Sequence, residues 1–379
     1  MRRNFLKYMV TGMAVLSFGT LPTIAQAQDK APIKVAALIA LSGPAAAYGA
    51  EERRAIEAVA ERTNAEGGID GQMIELIVRD TKTNPTEAVR LANQVIRDDN
   101  VVAIIGATTG SETLAFADAA MRAEVPVFPM VGTQSVTDKS RPSAKWVFRM
   151  SVPQSTDLPT SFNRMVADGH KKIAIFSEED AYGEQGSEMA AKIAEEKGVE
   201  VVERISAPKT ATDLTTVATR IRNSKPDAIF SISSSTSQVG AFLRKVKDVG
   251  LDVPVYSMAG IVQKQIIDSA GEAADLLIAP ALVNPYEAGP LTDLFDLMKD
   301  HGGVDGFGAL LGANAMSGVV AALKTGARTG SEIRDAMETM GEIKGFASGP
   351  IQFSAEDHDS WGPETLFFVT VRDGKFKNL

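Results

Sequence analysis

The sequence predicts an α/β protein of two similar, doubly wound lobes facing each other across a cleft, and three observations carry that prediction. First, Lys34-Val35-Ala36-Ala37 runs on to Tyr48-Gly49, and Lys172-Ile173-Ala174-Ile175 runs on to Tyr182-Gly183. A strand, a short loop and a Tyr-Gly pair entering a helix thus recur about 135 residues apart. Second, each copy is followed by enough alternating chain to complete a sheet of its own. Third, the 379 residues are 44% hydrophobic, sufficient for two substantial cores. Ligands of open α/β sheets settle beyond the carboxyl ends of the strands, where both Tyr-Gly loops lie, so the repeat also predicts a binding site.

Residues 1–27 read as an export signal outside the fold. Arg2, Arg3 and Lys7 make a positive start, residues 8–24 are mildly apolar, and Ala25-Gln26-Ala27 supplies the small residues of a cleavage site. The run Arg2-Arg3-Asn4-Phe5-Leu6-Lys7 resembles the twin-arginine export motif, with Met1 where that motif usually has Ser or Thr. Pro22 and the polar interruptions leave too little apolar length for a stable membrane anchor. The chain has no cysteine, which excludes disulfides, thiolate metal sites, a cysteine nucleophile and a lipid-modified cysteine tether. The expected destination is therefore free solution in a periplasm, as a monomer. Removing the signal takes the net charge from −9 to −12, which disfavours nucleic acid as a partner.

The first lobe opens with an apolar strand at 33–39, the Ser42-Gly43-Pro44 loop and a helix at 51–64 that Gly67-Gly68 ends. A strand at 73–78 follows, then a helix at 86–98 with Ala88, Leu91, Ala92 and Val95 on one face, and a strand at 101–105. The loop Ala107-Thr108-Thr109-Gly110-Ser111 leads into a helix through Ala120, and 125–130 supplies a fourth strand. The second lobe repeats the alternation with strands at 172–177, 199–205, 228–231 and 255–257, and helices at 183–197, 214–223 and up to 249. Its loop Ser233-Ser234-Ser235-Thr236-Ser237 is the counterpart of the Thr-Gly-Ser loop. After a segment at 276–279 come helices at 309–325 and 331–341 and short strands at 351–353 and 366–371, each too small to enclose a core. They are returns into the two lobes, so the chain divides into 28–151 plus 280–354 and 152–279 plus 355–379. Crossings near 149–153, 279–284 and 354–359 would form a hinge.

Catalysis finds little support in the residues. His170, His301 and His358 are scattered, without a second histidine at metal-ligand spacing, and are expected at the surface. No nucleophile elbow, phosphate loop or dinucleotide fingerprint occurs. Glu178-Glu179-Asp180 lacks the ligand pattern of a calcium loop. No metal and no cofactor are expected. The Thr109-Gly110-Ser111 loop instead brings hydroxyls and backbone N–H groups to the positive end of a helix, an arrangement suited to a carboxylate, with capping by Ser111 as the simpler role. Gly132-Thr133-Gln134-Ser135 is a second loop of this kind, and Tyr48, Tyr182 and Phe307 are isolated aromatics suited to ligand walls.

Taken together, the stretch from Ile33 to Tyr48-Gly49, the Gly67-Gly68-Ile69-Asp70-Gly71 turn, the strand ending in Asp80, and Asp180-Ala181-Tyr182-Gly183 resemble the leucine/isoleucine/valine-binding protein family over essentially all of the mature chain. The resemblance implies a type I periplasmic-binding fold, two Rossmann-like lobes joined by three hinge strands, and service to the permease of an ABC importer. It implies a ligand carboxylate and ammonium held mainly by the first lobe, at Thr109, Gly110 and Ser111 and at Met130, Gly132 and Thr133. Tyr48 and Tyr182 match cleft-lining positions, Ser235 falls near a third, and Phe307 matches a side-chain-pocket aromatic. One position departs from the pattern: the loop after Tyr256 reads Ser257-Met258-Ala259-Gly260-Ile261, with no acid to meet a ligand ammonium. A buried ammonium without a charged partner is costly.

The expected function is therefore a periplasmic receptor that closes on a branched-chain or related amino acid, with Glu178, Glu179 or Asp180 replacing the missing acid. An amine-free aromatic or branched carboxylate is the alternative ligand. A sensor handing its ligand state to a signalling receptor, and a hydrolase using the cleft, are the rival roles.

Overall fold

The computed structural model describes residues 30–346, 351–359 and 361–379, so the expected export signal at 1–27 lies outside the described residues. The first sheet consists of β1 (Ile33–Ile39), β2 (Ile74–Asp80), β3 (Ala103–Gly106) and β4 (Val127–Phe128), all parallel in the order β2-β1-β3-β4. Its strands are nearly continuous apolar runs because helices cover both faces: α1 (Ala46–Ala65), α2 (Pro85–Gln94) and α3 (Gly110–Arg122). Strand β1 has β2 on one side and β3 on the other, so the loops after β1 and β3 part in opposite directions and leave a crevice between them.

The second sheet repeats the plan. It follows α4 (Gln154–Ala167) and contains β5 (Lys172–Glu178), β6 (Glu200–Ala207), β7 (Ala228–Ile232), β8 (Val255–Tyr256) and β9 (Leu277–Ala281), all parallel. Helices α5 (Ala181–Glu196), α6 (Thr215–Ser224), α7 (Thr236–Asp248) and α8 (Lys264–Ala270) alternate with them. The chain then contributes α9 (Thr292–Met298), α10 (Phe307–Lys324) and α11 (Gly330–Thr339) before closing on β10 (Phe367–Arg372) and β11 (Lys375–Asn378). These last strands extend the second sheet antiparallel, in the order β11-β10-β9-β8-β7-β5-β6. Its crevice lies between the loops after β5 and β7.

Both Tyr-Gly pairs have one steric cause. A Cβ at Gly49 would lie 2.0 Å from the carbonyl oxygen of Ala40, and a Cβ at Gly183 would lie 1.9 Å from that of Glu178. In each lobe the glycine lets the helix start directly over the end of the preceding strand, which aims the adjacent tyrosine into the crevice. Helix α10 is long and apolar enough to cross a membrane, but 89% of its residues are buried and it packs along α1 as a core helix of the first lobe.

Several elements differ from expectation. The helix expected over 86–98 is α-helical only to Gln94; Val95–Asp99 widen into a π-turn that ends where Asn100 takes φ 58°. Residues 154–167 form a helix that Pro159 and the β-branched Thr156 and Thr160 disguise, although Leu158, Phe162 and Met165 bury one face. The strand expected at 351–353 reduces to a single bridge between Ile343 and Ile351, because Ile351 and Phe353 serve as core anchors. Strand β9 runs to Ala281, so the chain leaves the second sheet two residues later than the expected boundary. His358 is buried, against the expected surface position, because its ring stacks on Phe148 at 4.2 Å and its Nδ1 lies 3.0 Å from the Val147 carbonyl.

Candidate functional site

The two crevices meet in one cavity between the lobes. From the first lobe, Ala45, Tyr48 and Glu52 of the β1–α1 region, Thr108, Thr109 and Gly110 at the start of α3, and Met130, Val131, Gly132 and Thr133 after β4 line it. From the second, Asp180 and Tyr182 follow β5, Ser233 and Ser234 follow β7, and Met258, Gly260 and Ile261 follow β8. Phe307, the first residue of α10, completes the wall. Of the residues expected at the site, the structure brings together Tyr48, Thr109, Gly110, Met130, Gly132, Thr133, Tyr182, Gly260 and Phe307.

Ser111 and Ser235 are not among the lining residues. Helix α3 begins at Gly110, which makes Thr109 the N-cap: its Oγ1 accepts the Glu112 N–H and donates to Glu112 Oε2 at 2.6 Å. Ser111 therefore lies inside the first turn. Ser235 caps α7, its Oγ accepting the Gln238 N–H at 3.3 Å, so its two predecessors face the cavity instead.

The polar groups of the wall are unequal in their satisfaction. Thr133 Oγ1 is buried and has no hydrogen-bond partner among the described residues. An orphaned buried hydroxyl costs about 1–3 kcal/mol, which a ligand atom would recover. Its loop is held from behind by Arg149, whose fully buried guanidinium donates to the carbonyls of Val131 (2.8 Å), Thr133 (2.9 Å) and Gln134 (3.2 Å). Arg149 also donates to Thr137 Oγ1 (2.7 Å) and Asp359 Oδ1 (2.6 Å), tying the 131–134 loop to two of the interlobe crossings.

In the second lobe, Glu178 accepts from Ser234 Oγ (2.7 Å), the Ser234 N–H (2.9 Å), Ser233 Oγ (3.0 Å) and Lys209 Nζ (3.3 Å). Asp180 caps α5 through Oδ1, accepting the N–H groups of Tyr182 and Gly183, while its Oδ2 accepts from Lys209 at 3.0 Å. Glu179 accepts from Ser206 at an exposed position. The three acids expected to replace the missing ammonium partner are thus committed elsewhere or outside the cavity.

Sequence reasoning missed Glu52. It lies one helical turn beyond Tyr48 on the same face of α1, and that i, i+4 relation is the signal that could have found it. Glu52 is 1% exposed and accepts from Thr108 Oγ1 at 2.5 Å. Burial pushes its carboxyl up to about 8; Glu112 and Glu51 push the same way, and the Thr108 hydroxyl offsets part of the rise. Lys209 was missed too, with no motif to mark it. No lysine or arginine lines the cavity among the described residues. Across the cleft, the Tyr48 hydroxyl donates to the Gly260 carbonyl at 2.9 Å, and burial raises its pKa well above the ordinary phenol value.

The described residues contain no group of His, Asp and Glu side chains arranged to hold a metal. Thr hydroxyls, a helix N-terminus, the Glu52 carboxyl and three aromatic rings equip the cavity to hold a small polar molecule with an apolar part.

Comparison with known proteins agrees with this fold. The family model described as "Periplasmic binding protein" matches residues 32–375. The leucine-, isoleucine-, valine-, threonine- and alanine-binding protein of Pseudomonas aeruginosa is 23% identical over 287 residues, 75% of this chain and 74% of that protein. The branched-chain amino acid transporter substrate-binding protein LivJ of Streptococcus pneumoniae, solved with isoleucine, superposes with a TM-score of 0.81 at 22% identity, covering 91% of this chain and 98% of that one. An ABC-transporter solute-binding protein of Rhodopseudomonas palustris, solved with 3,4-dihydroxybenzoic acid, superposes with a TM-score of 0.78 at 24% identity, covering 92% and 96%. With two doubly wound lobes closed on one small-molecule cavity and a family match across nearly all the described residues, the chain belongs to the periplasmic binding protein family, with the type I fold.

Proposed function

We propose that the protein is the solute-binding component of an ABC importer, exported by its 1–27 signal and taking one branched-chain or related amino acid into the cleft. The observation that carries this reading is the composition of the wall. Near the N-terminus of α3, the orphaned Thr133 hydroxyl suits a carboxylate, while Glu52 lines the same cavity without a cation. Met130, Val131, Met258, Ile261 and the rings of Tyr48, Tyr182 and Phe307 suit an apolar side chain. In this reading the lobes are 28–151 with 282–354, and 152–281 with 355–379. Ligand contacts to both lobes stabilise the closed state, and the permease reads occupancy as shape.

A second reading is an amine-free aromatic or branched carboxylate, favoured by the acid-free loop 257–261 and by the three rings. Isothermal titration of refolded, ligand-free monomer with leucine, isoleucine, valine and their amine-free counterparts separates the two. Tight binding of the amino acids alone supports the first; tight binding of the amine-free acids alone supports the second.

A further inference from the structure

The acids around the cavity differ in what neutralises them. Glu178 and Asp180 share Lys209. Asp157, behind Tyr182, accepts the Ala259 N–H at 2.8 Å, and Glu51 accepts the Gly308 N–H at 3.1 Å beside Arg54. Glu112 accepts from Thr109. None of these last three lines the cavity. Glu52 does, and it forms no ion pair with any described lysine, arginine or histidine. Its neighbours are the Thr108 hydroxyl, itself fixed by the Ala40 N–H at 3.0 Å, and two further acids, Glu51 and Glu112. A buried carboxyl among acids, open to a ligand cavity and lacking a cation, is a position that a ligand cation would neutralise.

We propose that Glu52, oriented by Thr108, is the specificity-determining acid of this receptor: it pairs with the ammonium group of the bound ligand, in place of an acid on the 257–261 loop. The inference rests on the amino-acid reading of the cleft and deepens it. It moves the charge that selects an α-amino acid from the second lobe to the first, onto the helix that carries Tyr48. It also makes binding couple to proton release. With the cleft closed and no cation in it, burial pushes the Glu52 carboxyl up to about 8, and Glu112 and Glu51 push the same way. Of the other titratable groups, Asp180 lines the cavity with Lys209 and Glu178 bonded behind the wall, and Tyr48 and Tyr182 line it as well. The first three form a closed ion-pair network, and burial raises both tyrosines above their ordinary range, so Glu52 is the group whose proton an incoming ammonium displaces.

The test is titration calorimetry of refolded, ligand-free protein, wild type and Glu52→Gln, with leucine, isoleucine and valine and with 4-methylpentanoate, 3-methylpentanoate and 3-methylbutanoate. Glutamine mimics the protonated acid and keeps an acceptor for Thr108, so the fold is expected to survive; Glu52→Asp, which keeps the charge, is the second variant. Expected results are a loss of about 100-fold in affinity for the best amino acid in Glu52→Gln, partial recovery in Glu52→Asp, and no loss for the amine-free acids. Wild-type affinity for the amino acid rises from about pH 5.5 to about pH 8.5, and that slope disappears in Glu52→Gln. Equal amino-acid affinity in wild type and Glu52→Gln, or an equal loss for both ligand sets, overturns the role of Glu52 while leaving the amino-acid reading intact. A wild type that binds no amino acid overturns both.

Discussion

The hydroxyl of Tyr48, on the first helix of the first lobe, donates a 2.9 Å hydrogen bond to the carbonyl of Gly260 in the second. Gly260 belongs to the acid-free loop 257–261, so the two lobes latch directly across a place where a ligand contact is expected. Replacing Tyr48 by Phe keeps the ring and removes the latch. A neutral hydrogen bond of this kind contributes about 1 kcal/mol net, so ligand affinity should fall about fivefold with an unchanged melting temperature of the free protein. Calorimetry and thermal melts read the two quantities separately; a wild-type affinity in Tyr48→Phe would show that the latch does not hold the closed state.

Thr133→Val removes a hydroxyl that has no partner among the described residues and keeps the side-chain shape. Its melting temperature should stay level or rise slightly, because an unsatisfied buried oxygen disappears. Ligand affinity should drop roughly tenfold, the cost of one hydrogen bond to a charged group. A stability loss with unchanged affinity would make Thr133 a framework residue.

Arg149 and Asp359 connect the 131–134 loop to the crossings between lobes, at 2.6 Å and with the guanidinium fully buried. Asp359→Asn weakens the charge pairing and Arg149→Met removes the donors to three loop carbonyls. Breaking one side of a buried pair costs about 3–5 kcal/mol, so each variant should unfold at markedly lower denaturant concentration. Midpoints within experimental scatter of wild type would contradict the assigned role.

Glu51 and Asp157 are pushed up to about 7, and Glu52 to about 8, burial being the main cause in each. These groups bind protons in the folded chain at pH values where the unfolded chain has released them. Their contribution is therefore full near pH 4 and is lost as pH rises towards 8, each tenfold difference in proton affinity between folded and unfolded chain being worth about 1.4 kcal/mol. The ligand-free protein should melt lower at about pH 8.5 than at about pH 5.5, with a smaller difference in Glu52→Gln. A melting temperature that climbs over this window would show that these acids are not buried as described.

The fold was legible because the cues for it are local. Periodic apolar runs, Gly67-Gly68 and the recurring Tyr-Gly pair each act within a few residues, and Gly49 and Gly183 owe their identity to the strand end immediately before them. Helix α4 escaped because Pro159 interrupts its pattern. At the site, loops that follow strands were readable from their place in the alternation, whereas Ser111 and Ser235 were misplaced because helix starts shift by a single residue. Glu52 had a local signal, its i, i+4 relation to Tyr48, whereas Lys209 and Arg149 belong to long-range networks: Arg149 and Asp359 are 210 positions apart, and no spacing rule joins them.

The most direct test of the central claim is a thermal-shift measurement on refolded, ligand-free protein, titrated with leucine, isoleucine and valine alongside 4-methylpentanoate and 3,4-dihydroxybenzoate. A ligand at about 1,000 times its dissociation constant adds roughly 4 kcal/mol of stability, a shift of several degrees. Binding of a branched-chain amino acid in the cleft predicts that shift for at least one of the three, and its reduction in Thr133→Val. An unshifted melt with all three amino acids would contradict it.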